Sequence, residues 1–179
     1  MKKRHSSPDH AVVFASIFAY TKGHFSAIFS LLFIPMKVTL ERIDDAFQFE
    51  AKNEAGKTVI FDGGVAIGGK GNGVGPMQTL IMAAGGCSAI DVIMILKKQK
   101  QEITSFKIEI DGEREKGKEP SLWQTVHLLF KLDGNIDAEK AKRAVQLSME
   151  KYCSVVKTLE GAGAKITWDV ILNGISIGQ

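Results

Sequence analysis

From residue 36 onward, hydrophobic and polar positions recur in patterns that mark out one element after another. Residues 37–42, 47–51 and 58–62 are short runs rich in Val, Ile, Phe and Thr. Asp44-Asp45 and the Asn- and Gly-bearing stretch 53–56 separate them, and together they predict a meander of three strands. A glycine-rich loop, 63–75, follows. Pro76 then opens an apolar stretch, 77–96, whose one carboxylate is Asp91 and which runs into Lys97, Lys98 and Lys100, the cationic finish that suits a helix C-terminus. The pattern predicts a long helix buried on most of its faces, with small residues at 83–89 suited to close packing. Its length is that of a membrane span, about 20 residues, but a protein core is the expected environment in a domain otherwise rich in strands.

The second half repeats the strand logic. Phe106, Ile108 and Ile110 alternate with Lys107, Glu109 and Asp111, and Val126, Leu128, Phe130 and Leu132 alternate with Thr125, His127, Leu129 and Lys131, so each strand has one buried face. Asp137 suits the N-cap of a helix carrying Ala141, Val145, Met149, Tyr152, Val156 and Leu159 at helical spacing, closed by Gly161 and Gly163. Ile166, Trp168, Val170 and Leu172 form a final strand. The order β-β-β-α-β-β-α-β is that of an α+β domain. A helix apolar nearly all round is hard to bury inside so small a domain, so a second copy of the chain is expected to cover it, making a homodimer.

Composition narrows the picture. The 179 residues are 45% hydrophobic and 24% charged, enough for one well-filled core. The net charge of +3 comes from the first 35 residues, which hold four basic groups and one acidic group, and the remainder carries 19 of each. A neutral body lacks the clustered cations that neutralise phosphates, which sets nucleic acid aside as a partner. Residues 1–35 differ in kind, with a basic start and two apolar runs, 11–20 and 25–34, each too short to span a bilayer. They read as an extension upstream of a true start at Met36, as a membrane-associating leader, or as a docked amphipathic segment. The domain proper is expected over 36–179.

Two cysteines exclude a disulfide-stapled scaffold and cannot by themselves make a four-ligand zinc site. Both fall within predicted helices, Cys87 in the buried one and Cys153 near the middle of the second. A free cysteine commonly serves as a small buried hydrophobe. Gly85 and Gly86, directly before Cys87, would let another backbone or a small ligand approach the thiol. Packing and catalysis both stand on the residues alone.

Three other signals are weaker. Gly64, Gly69 and Lys70 match a phosphate-binding loop, but Gly71 stands where a hydroxyl should bind magnesium and the helix begins about six residues too late. His127 points away from the Val126 face and reads as a solvated or hydrogen-bonded residue, with a catalytic base as the alternative. Asp91, one helical turn beyond Cys87, can orient a neighbour, raise the thiol pKa by like charge, or make a hydrogen bond across a dimer interface.

Gly75-Pro76-Met77-Gln78-Thr79-Leu80, leading into Met82-Ala83-Ala84-Gly85-Gly86-Cys87-Ser88-Ala89-Ile90-Asp91, and later Ser148-Met149-Glu150-Lys151-Tyr152-Cys153-Ser154-Val155, resemble the two cysteine motifs of the OsmC/Ohr family, the osmotically inducible and organic hydroperoxide resistance proteins. The nearest likeness is to its YhfA-like branch. The resemblance implies the OsmC-like fold: two long helices packed against an antiparallel sheet in an intertwined homodimer, with sites at the subunit interface, and a cytoplasmic protein. It implies a thiol-dependent peroxidase in which Cys87 attacks an organic hydroperoxide, Cys153 resolves the sulfenate as a disulfide, and an external dithiol resets the pair. No metal, flavin or other cofactor is required. Peroxide-reducing members carry a glutamate directly after the helix-opening proline, where it joins an arginine near the thiolate. Here that position is Met77, Gln78 is the nearest polar substitute, and Arg42, Arg114 and Arg143 are the candidates for the arginine. A thiol among Ala, Gly and Ile has its pKa raised unless a cation sits beside it. The alternatives within the same fold are a non-catalytic binder of a small ligand or partner, and a thiol-based sensor or sulfur-transfer protein.

Overall fold

A computed structural model describes residues 36–178; the three readings of residues 1–35 lie outside the described residues. Strands β1 (Val38–Arg42), β2 (Phe49–Asn53) and β3 (Thr58–Phe61) form an antiparallel meander with Leu40 opposite Ala51 and Phe49 opposite Phe61. Its turns are built by side chains. Asp44 Oδ1 accepts the N–H groups of Ala46 and Gln48 at 2.9 and 3.0 Å, and Asn53 Oδ1 accepts that of Lys57 at 2.9 Å. Val38, Leu40, Phe49 and Val59 are all exposed, so this sheet buries little against the other described residues.

The glycine-rich loop folds around a carboxylate. Buried Asp62 accepts the backbone N–H groups of Lys70 and Asn72 at 3.2 and 3.0 Å on Oδ2. Two N–H groups that a phosphate would need are therefore already taken by an anion of the protein. Gly69 is obligatory in this packing, because a Cβ there would lie 1.9 Å from the Gly63 carbonyl oxygen.

Helix α1 (Pro76–Lys98) begins with proline in its first turn and with Gln78 Oε1 accepting the Gly75 N–H at 3.1 Å. Strands β4 (Glu102–Arg114), β5 (Trp123–Asn135), β6 (Lys165–Leu172) and β7 (Ile175–Ser176) make a second sheet in that order. It is mixed rather than antiparallel throughout. The β4–β5 hairpin and the β6–β7 pair are antiparallel, whereas β5 and β6 run parallel because the chain between them crosses over through helical structure. The short β7 has no counterpart in the expected order.

That crossover is not one continuous helix. Helix α2 (Ala138–Leu147), capped by the Asp137 side chain on the Lys140 N–H, passes into a π turn at Ser148–Tyr152. Cys153 is extended, with φ −69° and ψ 98°, and α3 (Ser154–Gly161) starts afresh. Both helical layers lie on one face of the second sheet. The core between them contains Val92, Leu96, Val126, Leu128, Phe130, Leu132, Val145, Val156 and Val170.

Helix α1 meets this core along Ala84, Gly85, Ser88, Val92 and Leu96. Gly85 permits the approach to β4, since a Cβ there would come within 2.6 Å of Ile110 Cδ1. Within one chain α1 is buried along one side only, and the open side is the one a second copy is expected to cover. Met82, Ile90 and Met94 remain 56%, 62% and 51% exposed, and they stand with Gly86 at four-residue spacing along one ridge. Among the described residues, sheet and helix cover one side of α1 and no further apolar element covers the other.

Candidate thiol site

Cys87 and Asp91 stand one turn apart on α1 and therefore project on the same side of the helix. Cys153 reaches them from the break between α2 and α3. The two sulfurs and an Asp91 carboxylate oxygen all lie within 4.8 Å of one another. Cys153 is fully buried and Cys87 partly so, and both are free thiols.

The break is what presents Cys153. A residue mid-helix has its backbone N–H bonded to a carbonyl four residues back, whereas Cys153 donates to Ser148 at 2.8 Å across the wider π turn. Its sulfur then acts as the N-cap of α3, accepting the Val156 N–H at 3.5 Å. The expectation of a cysteine near the middle of a helix is thus corrected to one at the start of a new helix.

Burial pushes the Cys153 thiol pKa up, opposed by the Ser88 hydroxyl and the Val156 N–H and reinforced by the neighbouring Cys87. Asp91 is held from the other side. The hydroxyl of buried Ser148, the first residue of the π turn, donates to Asp91 Oδ2 at 3.0 Å. Ser88 is likewise buried, with its hydroxyl 3.7 Å from Met149 Sδ. The two serines are the residues that sequence reasoning missed. A signal was present, because the one carboxylate of this helix, set in its apolar middle, calls for a donor from a packed neighbour.

The three described arginines are all engaged elsewhere. Arg42 donates to the Asp45 and Ala46 carbonyls in the β1–β2 turn, Arg114 to the Ser121 carbonyl, and Arg143 to Gln146 Oε1 at 2.8 Å. Gln78 is occupied in capping α1, and the Met77 carbonyl accepts Trp123 Nε1–H at 3.1 Å. Met77 and Arg114 face a separate apolar cavity of about 620 Å³, which they line together with Leu40, Phe49, Phe61 and Trp123. His127 lies on the solvent side of the second sheet with Nδ1 2.9 Å from Thr167 Oγ1, the hydrogen-bonded role expected of it.

A sequence model of the OsmC-like protein family matches residues 69–169, a span that holds Cys87, Asp91, Ser148 and Cys153. Protein YhfA of Escherichia coli is 37% identical over 119 residues, which cover 66% of this chain and 85% of YhfA. A solved structure of a hypothetical protein from Aquifex aeolicus superposes with a TM-score of 0.65 at 31% identity, covering 79% of this chain and 99% of the other. The organic hydroperoxide resistance protein OhrB of Bacillus subtilis shares the fold, with a TM-score of 0.56 at 22% identity over 78% of this chain and 99% of OhrB.

Proposed function

The chain belongs to the OsmC-like protein family, and from that membership we propose that it is a thiol redox protein that reduces organic hydroperoxides through Cys87 and Cys153. The observation that carries this reading is the pairing of a partly exposed thiol with a fully buried one whose sulfurs lie within 4.8 Å. The Cys87 thiolate attacks a peroxide oxygen, an S–O bond forms as the O–O bond breaks, and the alcohol leaves with a proton. Cys153 then attacks the sulfenate sulfur, forming the disulfide and releasing water. An external dithiol takes the disulfide back to two thiols. The net change is hydroperoxide plus two protein thiols to alcohol, water and one disulfide.

The sulfurs must close to about 2.05 Å for the second step. The position of Cys153 at the junction of two helices supports that movement, since its backbone is not part of a continuous α-helical ladder. The protein works as a homodimer in this reading, with the exposed ridge of α1 and the thinly packed first sheet covered by the second copy. Residues 36–179 form the functional domain and residues 1–35 an extension to it. A cytoplasmic setting fits a pair of thiols that must be returned to the reduced state.

A second reading is favoured by the cavity between the first sheet and the start of α1. At about 620 Å³ with a mostly apolar lining it has the size of a small-ligand site, and it supports a non-catalytic binding protein whose cysteines only pack. Intact mass spectrometry separates the two. The full-length reduced protein, kept in chelator and given one equivalent of an organic hydroperoxide, is expected to lose about two mass units per chain, the two thiol hydrogens. Cys87→Ser and Cys153→Ser should each abolish that loss. An unchanged mass at large peroxide excess would overturn the redox reading in favour of the binding one.

A further inference from the structure

The charged group that shares the thiol cluster has the wrong sign for holding a thiolate. A cation beside the sulfur favours the ionised form and a carboxylate disfavours it, yet the cluster contains Asp91, while the described arginines donate to carbonyl and amide oxygens elsewhere. Two cysteine sulfurs and a carboxylate oxygen within 4.8 Å of one another are instead the ligand set of a divalent cation once the thiols ionise. We propose that the reduced Cys87–Cys153 pair, together with Asp91, binds one thiophilic divalent metal ion of the zinc class. The proposal uses the thiols of the redox reading but none of its reaction steps.

Geometry supports it. Zinc takes sulfur at about 2.3 Å and carboxylate oxygen at about 2.0–2.2 Å, so tetrahedral ligand atoms stand roughly 3.6–3.8 Å apart. The three donors here are all within 4.8 Å of one another, and shifts of about an ångström or less bring them to that spacing. Cys87 and Asp91 come from one helix at i and i+4, a spacing at which two side chains converge on one ion. Cys153 supplies the third ligand from the facing segment. The Ser148 hydroxyl donates to Asp91 Oδ2 at 3.0 Å and fixes the carboxylate, while the Val156 N–H points at the Cys153 sulfur. Such outer contacts orient ligands and are worth about 10–100-fold in affinity.

Three protein ligands leave the fourth position to water, and Cys87 and Asp91 are both partly exposed. The site is thus an exchangeable one rather than a structural staple. Entry of the ion displaces the two thiol protons to solvent and changes no oxidation state. Metal and disulfide exclude one another, because each uses both sulfurs. Bound zinc therefore masks the pair from oxidation, and oxidation expels the zinc.

The test is a titration of reduced full-length protein with Zn²⁺ against a chromophoric chelator, and with Cd²⁺ followed by thiolate-to-metal charge-transfer absorption, with stoichiometry from native mass spectrometry. One ion per chain with a charge-transfer band is expected. Cys87→Ser and Cys153→Ser should each lose the band. Asp91→Asn, which keeps the shape and an acceptor for Ser148, should keep the fold by circular dichroism and weaken binding at least about tenfold. Failure of the parent protein to retain an ion, or binding that is unaltered by Asp91→Asn or by either cysteine substitution, would overturn the proposal. No peroxide is present in this titration and no metal in the chelated peroxide assay, so either reading fails without the other.

Discussion

Ser148 connects the two halves of the thiol site at the level of one hydroxyl. It is fully buried, begins the π turn that delivers Cys153, and donates to Asp91 on the opposite helix. Hydrogen bonds to charged groups are worth more than neutral ones, and leaving a carboxylate oxygen without its donor costs about 1–3 kcal/mol. Ser148→Ala is therefore expected to destabilise the fold by that amount in urea unfolding, with little change in the slope of the transition. A value near zero would mean that water replaces the hydroxyl and that Asp91 is not held by the π turn. The cysteines and Asp91 were legible in the sequence as a pair of motifs and a lone carboxylate. The serines were not, because a buried hydroxyl on a helix looks like any small residue until the facing element is known.

Among the elements, the interrupted second helix was the least legible. Its buried positions, Ala141, Ala144, Val145, Ser148, Met149, Cys153, Val156 and Leu159, keep helical spacing across the break, and neither Gly nor Pro marks it. The wider π turn takes up residues without moving the chain off its apolar face, so periodicity passes straight through. The parallel β5–β6 pairing was implicit in the order strand, helical crossover, strand. The second sheet's solvent face is simpler. There Glu109 is paired with Lys107 at 2.8 Å and with Lys131 on the neighbouring strand, and these side-chain hydrogen bonds lower its pKa to about 2. A depressed carboxylate pKa contributes stability that is present above the ordinary value of 4.5 and fades as pH falls toward about 2. The melting-temperature difference between the parent protein and Glu109→Gln should shrink over that window. It should also shrink with added salt, because the cluster is exposed and screened.

For the whole molecule, the question is what covers the ridge of Met82, Gly86, Ile90 and Met94. Apolar area on that scale is rarely left in water by a soluble chain, and the first sheet adds Leu40, Phe49 and Val59 to the exposed set. Burial recovers about 25 cal/mol per Å² of apolar surface, so two α1 ridges facing one another gain more than either gains alone. A glycine within the ridge, whose added Cβ would meet nothing within 4 Å in one chain, leaves room for the second helix to approach. In the homodimer of the redox reading, α1 is therefore expected to pack against its own copy. Ile90→Glu places a carboxylate at the middle of that contact, 62% exposed in the single chain and so harmless to its own core. The expected result by sedimentation is a shift from dimer to monomer; because the thiol cluster borders this ridge, with Asp91 and Met94 lining one cavity, the disulfide should still form but more slowly. A parent protein that sediments as a monomer at all concentrations, or an Ile90→Glu dimer indistinguishable from it, would rule out this ridge as the interface.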